Sequence, residues 1–173
     1  MAFWNFSAFS VNFHVNKIAA FAAERSFHMS KILAIACDHA GVTYKKDLIA
    51  YLTEKGYTCL NLGTDTEDSV DYPLYADAVC KKITSGEAEL GILICGTGIG
   101  MSIAANKHKG IRAGLCTDPA SASLTRQHNN ANILCMGARI LSFEKVVEIT
   151  NAFLDSEFLG GRHQRRVEML EQI

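Results

Sequence analysis

Short apolar runs alternate with segments of helical periodicity along most of the chain. Five of these runs have the length and aliphatic character of buried strands, and each is followed by residues spaced as on one helix face or by a turn. Gly56, Pro73 and Pro119 stand where helices are expected to end or begin. The predicted strands cover 31–37, 57–63, 89–95, 111–116 and 132–137, and the predicted helices cover 43–55, 73–84, 101 to about 106, 119–128, 142–156 and a short C-terminal segment.

The alternation of strands and helices predicts an α/β fold. Parallel strands need a crossover connection between them, and a helix usually supplies it. We therefore expect a Rossmann-like, three-layer αβα sandwich around a five-stranded parallel sheet in the order 2-1-3-4-5. No internal repeat or low-complexity linker interrupts 29–173, which we interpret as a single domain. Ligands of such folds bind beyond the carboxyl ends of the strands, where the strand order reverses, here between the first and third strands.

The first 28 residues do not share this pattern. They are rich in Phe, but polar residues interrupt them, and no apolar span reaches the roughly eighteen residues of a transmembrane helix. No positive charge precedes the apolar part, as a secretory signal would require. We interpret 1–28 as an N-terminal extension, disordered or targeting, and expect a cytoplasmic protein. Import into an organelle through this segment is the alternative.

Composition and charge narrow the function classes. The 173 residues include 17 Lys+Arg and 18 Asp+Glu, and the net charge of −1 indicates neither a nucleic-acid nor a membrane partner. Hydrophobic residues make up 49% and charged residues 20%, which is typical of a globular protein. None of the six cysteines forms a Cys-x-x-Cys pair. The cysteines therefore predict neither a zinc site nor a disulfide framework, and we expect no metal.

Several polar residues follow the predicted strands or begin a helix and could bind a ligand. Asp38 and His39 directly follow the first strand, where they could orient a sugar hydroxyl, although an Asp N-cap beside an exposed His also explains them. Arg139, just beyond the fifth strand, could add a cation. Tyr72 could contribute a hydroxyl contact or simply stand at a helix start.

Cys95 and the glycine-rich loop 96–100 form the most distinctive motif. Glycines between a strand and a helix let backbone N–H groups converge on an anion. The Gly-x-Gly-x-Gly spacing and the position after the third strand argue against a dinucleotide loop. Cys95 ends a strand just before a helix N-terminus, where the dipole favours a thiolate. Such a thiolate could attack a carbonyl or remove a carbon-bound proton, and the spacing does not choose between these roles.

Further polar residues that could carry chemistry lie toward the C-terminus. His128 and Asn129 close the fourth predicted helix, either as an ordinary polar helix end or as a proton donor and its neighbour. Arg162 and Arg166 are four residues apart and could hold a phosphate, or belong to a solvated charged tail. The fourth helix runs away from the carboxyl edge, so His128 should lie far from Cys95. If the two residues cooperate, they should do so across a dimer interface.

Five motifs in register resemble one enzyme family. They are CDHAG at 37–41, DYP at 71–73, ILICGTGIGMSIAANK at 92–107, LTRQHNNAN at 124–132 and GGRHQRRV at 160–167. Together they are similar to type B ribose-5-phosphate isomerases, in the family shared with galactose-6-phosphate isomerase subunits. The resemblance covers nearly all of 30–172, and the extension at 1–28 is the main departure.

The resemblance implies an aldose–ketose isomerase of the non-oxidative pentose phosphate pathway, working through an enediolate with no cofactor. Cys95 would move the proton between C1 and C2 of the sugar, and His128, assisted by Thr97, would donate a proton in opening the furanose ring. The implied binding residues are Asp38, Tyr72 and Asn129 for hydroxyls, Gly96, Gly98, Ile99 and Gly100 for the enediolate, and His39, Arg139, Arg162 and Arg166 for the phosphate.

The resemblance also implies a homodimer with shared active sites, and it leaves a tetramer open. The expected partner is a phosphorylated sugar, with no nucleic acid and no membrane. Two alternatives remain at this point. The first is isomerisation of a six-carbon substrate such as galactose or allose 6-phosphate, because the motifs indicate mechanism better than pocket length. The second is a nucleotide-binding module that uses the loop 96–100 for phosphate.

Overall fold

The structure is a computed structural model that describes residues 31–173. The predicted extension at 1–28 lies outside the described residues. No helix within 31–173 has the length and apolarity needed to cross a membrane. In chain order the elements are β1 (Ile32–Cys37), a 3-10 turn (His39–Gly41), α1 (Val42–Glu54), β2 (Thr58–Asn61), α2 (Tyr72–Thr84), β3 (Leu90–Cys95), α3 (Ile99–Ala105), β4 (Ala113–Leu115), α4 (Pro119–Asn129), β5 (Ile133–Gly137), α5 (Phe143–Leu154) and α6 (Arg162–Leu170).

The five strands form one parallel sheet with a hydrophobic core on each face. On one face Leu48 of α1 and Phe153 of α5 pack against the strands, and on the other face Val79 of α2 and Met101 of α3 do so. β1, β3 and β5 are almost entirely buried, as expected of parallel strands covered by helices on both sides. The predicted α/β class and its three-layer architecture are confirmed.

The predicted strand order 2-1-3-4-5 is wrong, because the sheet has the order β2-β1-β3-β5-β4. All five residues of β5 are buried, whereas β4 has only three residues and none of them is fully buried. The longer, wholly apolar strand therefore lies in the interior of the sheet, and the short strand forms its edge. Cys95 consequently pairs with Gly137 at the end of β5.

A buried lysine fastens the loop after β2 to the end of β1. Lys45 of α1 is 1% exposed, and its ammonium donates hydrogen bonds to Asn61 Oδ1 at 2.7 Å, the Thr64 carbonyl oxygen at 2.7 Å and Asp65 Oδ1 at 2.5 Å. Three acceptors satisfy the three N–H groups of the ammonium. The Thr64 N–H in turn donates to the Cys37 carbonyl oxygen, one residue before Asp38. Through Thr64, Lys45 thus stabilises the backbone at Cys37, directly before Asp38.

Replacement of this lysine tests its role. We expect Lys45→Met to lower the free energy of unfolding by about 2 kcal/mol, because the Asn61 and Thr64 oxygens lose their donor. The effect on Asp65 should be small, since this side chain is 70% exposed and can regain water. Urea unfolding measures the change. Lys46→Met removes an exposed lysine from the same helix and is the matched control. Equal stability of the two variants would contradict the assigned role.

Candidate active site

The carboxyl ends of the three central strands bring the first group of predicted residues together. The Asp38 N–H donates to the Ile94 carbonyl oxygen at 3.0 Å, and the Ala138 N–H donates to the Cys95 carbonyl oxygen at 2.8 Å. These bonds extend the sheet beyond β1, β3 and β5 and align the loops that follow. The loop after β1, the loop 96–98 and the loop after β5 therefore share one edge.

The Cys95 thiol faces the glycine-rich loop. Cys95 is 5% exposed, and its Sγ accepts a hydrogen bond from the Gly98 N–H at 3.1 Å. Gly98 has a φ of 78°, in the left-handed region that glycine adopts at least cost, and it is the N-cap of α3. This conformation turns the amide toward the sulfur. The bond fixes the direction of Sγ and supplies a donor to negative charge that develops on it.

Other buried cysteines of the core have a different environment. Burial raises the pKa of Cys37 to about 11 and that of Cys80 to about 12, and it raises the pKa of Cys135 well above its usual range. These thiols stay protonated at neutral pH and act as small apolar core residues. Cys95 differs from them in its bond to a loop amide.

The side chains of Arg139 and Tyr72 pack against the glycine-rich loop that follows Cys95. The Arg139 N–H donates to the Gly96 carbonyl oxygen at 3.0 Å, and the Arg139 side chain lies over Gly96. The Tyr72 ring packs on Gly100 so closely that a Cβ there would lie 2.7 Å from Tyr72 Cζ. A guanidinium and a phenol therefore flank the loop that contacts Cys95.

Asp38, His39 and Thr97 complete this group with partly engaged polar atoms. Asp38 Oδ1 accepts the Ala40 N–H at 2.9 Å, so the side chain caps the 3-10 turn. His39 Nδ1 accepts a long hydrogen bond of 3.5 Å from the Val70 N–H. Thr97 Oγ1 accepts the Ile99 N–H at 3.3 Å, and Thr97 is exposed. Asp38 is therefore the N-cap of this turn, as one interpretation of the sequence predicts. The cap uses only one of its two carboxylate oxygens.

The second group of predicted residues gathers where α4 meets α6. The His128 ring stacks on the His163 ring, with centroids 4.2 Å apart and planes 5° from parallel. Arg162 Nε donates to His163 Nε2 at 3.4 Å. The Leu159 N–H donates to the Gln127 carbonyl oxygen at 3.0 Å, which ties the loop before α6 to the end of α4. An imidazole and a guanidinium of the predicted set therefore meet at the N-terminus of α6.

The two groups lie at opposite edges of the sheet. α4 starts after β4 at the carboxyl edge, and its 11 residues span about 16 Å in the reverse direction. Asn129, its last residue, lines a cavity of about 820 Å³ with Gly110, Ala113 and other residues around the start of β4. Within 31–173 no hydrogen bond or ion pair joins the groups. The first group comprises Asp38, His39, Tyr72, Cys95, Gly96, Thr97, Gly98, Ile99, Gly100 and Arg139, and the second comprises His128, Asn129, Arg162 and Arg166.

Sequence reasoning missed two residues that organise these groups. Lys45 falls on the buried face of α1, three residues before Leu48, and a lysine at an apolar position was the available signal. His163 is on the buried face of α6, four residues before Val167, inside the motif at 160–167. Their positions on the buried helix faces are readable from the spacing, but the Lys45 acceptors and the His128 ring that stacks on His163 come from other elements of the chain.

Comparison with known proteins identifies the family. Residues 33–170 match the family model described as Ribose/Galactose Isomerase. The chain belongs to this isomerase family. It is 46% identical over 143 residues to ribose-5-phosphate isomerase B of Escherichia coli strain K12, covering 83% of this chain and 96% of the relative. It is 49% identical over 136 residues to a putative sugar phosphate isomerase of Bacillus subtilis strain 168, covering 78% of this chain and 91% of the relative.

Solved structures of the isomerase family share the fold. A ribose 5-phosphate isomerase of Thermotoga maritima superposes with a TM-score of 0.81 at 48% identity, covering 83% of this chain and 99% of that one. The type B enzyme of Leishmania infantum gives a TM-score of 0.80 at 46% identity, covering 83% and 96%. The resemblance drawn from the five motifs is confirmed.

Gly137 tests whether the 96–98 loop needs its close contact with β5. A Cβ at this position would lie 2.7 Å from the Thr97 carbonyl carbon, so the loop backbone would have to move. We expect Gly137→Ala to cost about 2 kcal/mol of stability and to remove most isomerase activity.

A second glycine supplies the control for this variant. Gly91 lies at the start of β3, at the other end of the strand from the 96–98 loop. A Cβ at this position would lie 2.7 Å from Val79 Cγ1. Gly91→Ala should lose stability similarly but keep its activity. Urea unfolding and isomerase assays on the folded proteins distinguish them, and equal activity loss in both variants would refute the assignment of the loop.

Proposed function

We propose that the protein interconverts ribose 5-phosphate and ribulose 5-phosphate through an enediolate, with Cys95 as the base. The observation that carries this proposal is the position of Cys95 Sγ, which meets the Gly98 N–H inside a glycine loop flanked by Arg139. The high identity to proteins named ribose-5-phosphate isomerase B supports the choice of substrate.

Cys95 performs the proton transfer in this proposal. Its thiolate removes the proton from C2 of the open-chain aldose, and the electron pair moves to form the enediolate. The same sulfur returns this proton to C1 while the hydroxyl proton passes from O2 to O1, so that C1 becomes a hydroxymethyl group and C2 becomes the ketone. The backbone N–H groups of 96–100 donate to the oxyanion. One residue therefore serves as base and acid on one face of the substrate.

The remaining residues hold the substrate and open its ring. His128, assisted by Thr97, protonates the ring oxygen when ribose 5-phosphate binds as a furanose. The phosphate supplies remote binding energy that positions the reacting carbons. The proposed hydroxyl contacts are Asp38, Tyr72 and Asn129, and the proposed phosphate contacts are His39, Arg139, Arg162 and Arg166.

The opposite locations of the two groups support a homodimer with active sites shared between subunits. A single chain places Cys95 and His128 at opposite sheet edges, and a partner can supply the missing group. The side chains of Ile99 and Ile103 lie one turn apart on α3 and are 50% and 58% exposed. They offer that partner an apolar surface beside the Cys95 loop. A tetramer would be built from such dimers.

The cysteines support a reducing, cytoplasmic location. All six, at positions in 37–135, are free thiols. Reduced thiols are typical of the cytosol rather than of secreted proteins. Import into an organelle through 1–28 is the alternative, and N-terminal sequencing of the native protein distinguishes the two.

A six-carbon substrate is the second candidate, since the matching family includes galactose isomerases. Specificity constants for ribose 5-phosphate, allose 6-phosphate and galactose 6-phosphate decide between the candidates. The larger constant identifies the substrate, and a preference for a six-carbon sugar would replace the first proposal.

Removal of the thiol tests the proposed base. We expect Cys95→Ala to lower kcat for ribose 5-phosphate by about 10³-fold, because it removes the proposed base. Cys59→Ala, which removes a half-buried thiol from the edge strand β2, should leave kcat unchanged. Near wild-type turnover by Cys95→Ala would exclude this residue as the base.

Subunit mixing tests the shared site. Cys95→Ala and His128→Ala proteins should each be inactive, but a mixed dimer contains one site with both groups intact. We therefore expect activity to reappear when the two proteins are mixed and allowed to exchange. Exchange is verified by native mass spectrometry, and no recovery in confirmed mixed dimers would contradict sharing.

A further inference from the structure

His163 contacts two side chains to which the proposed function gives separate roles. Its side chain is buried, with 9% exposed, and one face of its ring covers the His128 ring over a centroid distance of 4.2 Å. Its Nε2 accepts the Arg162 Nε–H at 3.4 Å. One imidazole therefore contacts the proposed proton donor and a proposed phosphate ligand at the same time.

The contacts define the protonation state of His163. A guanidinium only donates hydrogen bonds, so the Nε2 atom that faces Arg162 has to be the unprotonated nitrogen, and the ring proton belongs on Nδ1. Burial, His128, Arg162 and Arg166 all lower the pKa of His163. Because two stacked imidazolium rings would repel each other, a neutral His163 does not oppose the proton that the proposed function assigns to His128.

Substrate chemistry explains why these two contacts belong together. Opening of the furanose breaks the bond between C1 and the ring oxygen on C4, and the phosphate is attached through O5 to the adjacent carbon C5. His128 delivers its proton to that ring oxygen, while the C1 hydroxyl releases its proton to solvent water and becomes the aldehyde. The proton donor and the phosphate ligand must therefore act only a few bonds apart on the same sugar.

We propose that His163 is a positioning residue for ring opening, which sets the His128 ring and the Arg162 guanidinium at a fixed spacing. This inference rests on the proposed function. His163 itself need not touch the substrate, since its ring face is occupied by His128 and its Nε2 by Arg162. Its role is to hold the His128 side chain on α4 and the Arg162 side chain on α6 in place relative to each other.

Two substrates separate ring opening from the later chemistry. Ribulose 5-phosphate is open-chain, because its C5 hydroxyl, which would close a five-membered ring onto C2, is esterified by phosphate. Exchange of its C1 proton with D₂O therefore measures enediolate formation at Cys95 without ring opening. Turnover of ribose 5-phosphate needs both steps.

His163→Ala removes both contacts. We expect kcat for ribose 5-phosphate to fall by about 10²-fold, while C1 exchange at saturating ribulose 5-phosphate stays within about twofold of wild type. His163→Phe keeps an aromatic ring on His128 but cannot accept from Arg162. It should raise KM for both substrates and leave kcat for ribose 5-phosphate within about threefold of wild type.

Several outcomes would overturn the inference. A parallel loss of turnover and exchange in His163→Ala would indicate a merely structural role, and unchanged kinetics in both variants would indicate none. Wild-type protein that neither turns over ribose 5-phosphate nor exchanges the C1 proton would instead refute the proposed function. If His163→Ala does not fold, long-range ¹H–¹⁵N spectra of the wild type decide, because a proton on His163 Nε2 at neutral pH contradicts the Arg162 contact.

Discussion

Backbone hydrogen bonds beyond the ends of the central strands are the constraint on which the candidate site depends. The bonds from Asp38 to Ile94 and from Ala138 to Cys95 continue the sheet into its loops. Loops normally vary more than the elements that they connect, but these cannot separate without breaking the sheet edge. The thiol, the carboxylate and the guanidinium therefore acquire the rigidity of the core.

The fold was largely predictable because each strand is a short apolar run followed by a helix or turn signal. The position of β5 in the sheet could not be predicted, because the sequence indicates a strand at both β4 and β5. Only packing decides which of the two lies inside the sheet and which forms its edge. Burial of the whole of β5 places Gly137 beside Cys95, and Arg139 comes next to Gly96 as a result. The predicted order would have put another strand between them. With that order, Arg139 would not lie beside the Gly96 backbone next to Cys95.

The site was predictable where its residues are consecutive and unpredictable where it depends on partners from other elements. Cys95 and its glycine loop stood out because strand, thiol and turn follow directly. The direction of α4 also indicated that His128 lies away from the thiol. Lys45 and His163 gave only a weak signal, because their acceptors and ring contacts come from residues that folding alone brings near. A lysine or histidine on an apolar helix face is nevertheless worth inspecting for such contacts.

α4 also acts as a spacer of fixed length. Its start is set by the Asp118 cap after β4, and its end is tied to the loop before α6 through Gln127. Insertion or deletion of a single residue in the helix would rotate His128 by about 100° and shift it by about 1.5 Å along the axis. The exposed turn at 85–87 carries no comparable restriction. Length changes during the divergence of this chain should therefore be tolerated in such turns and eliminated from α4, whatever residues its outer face carries.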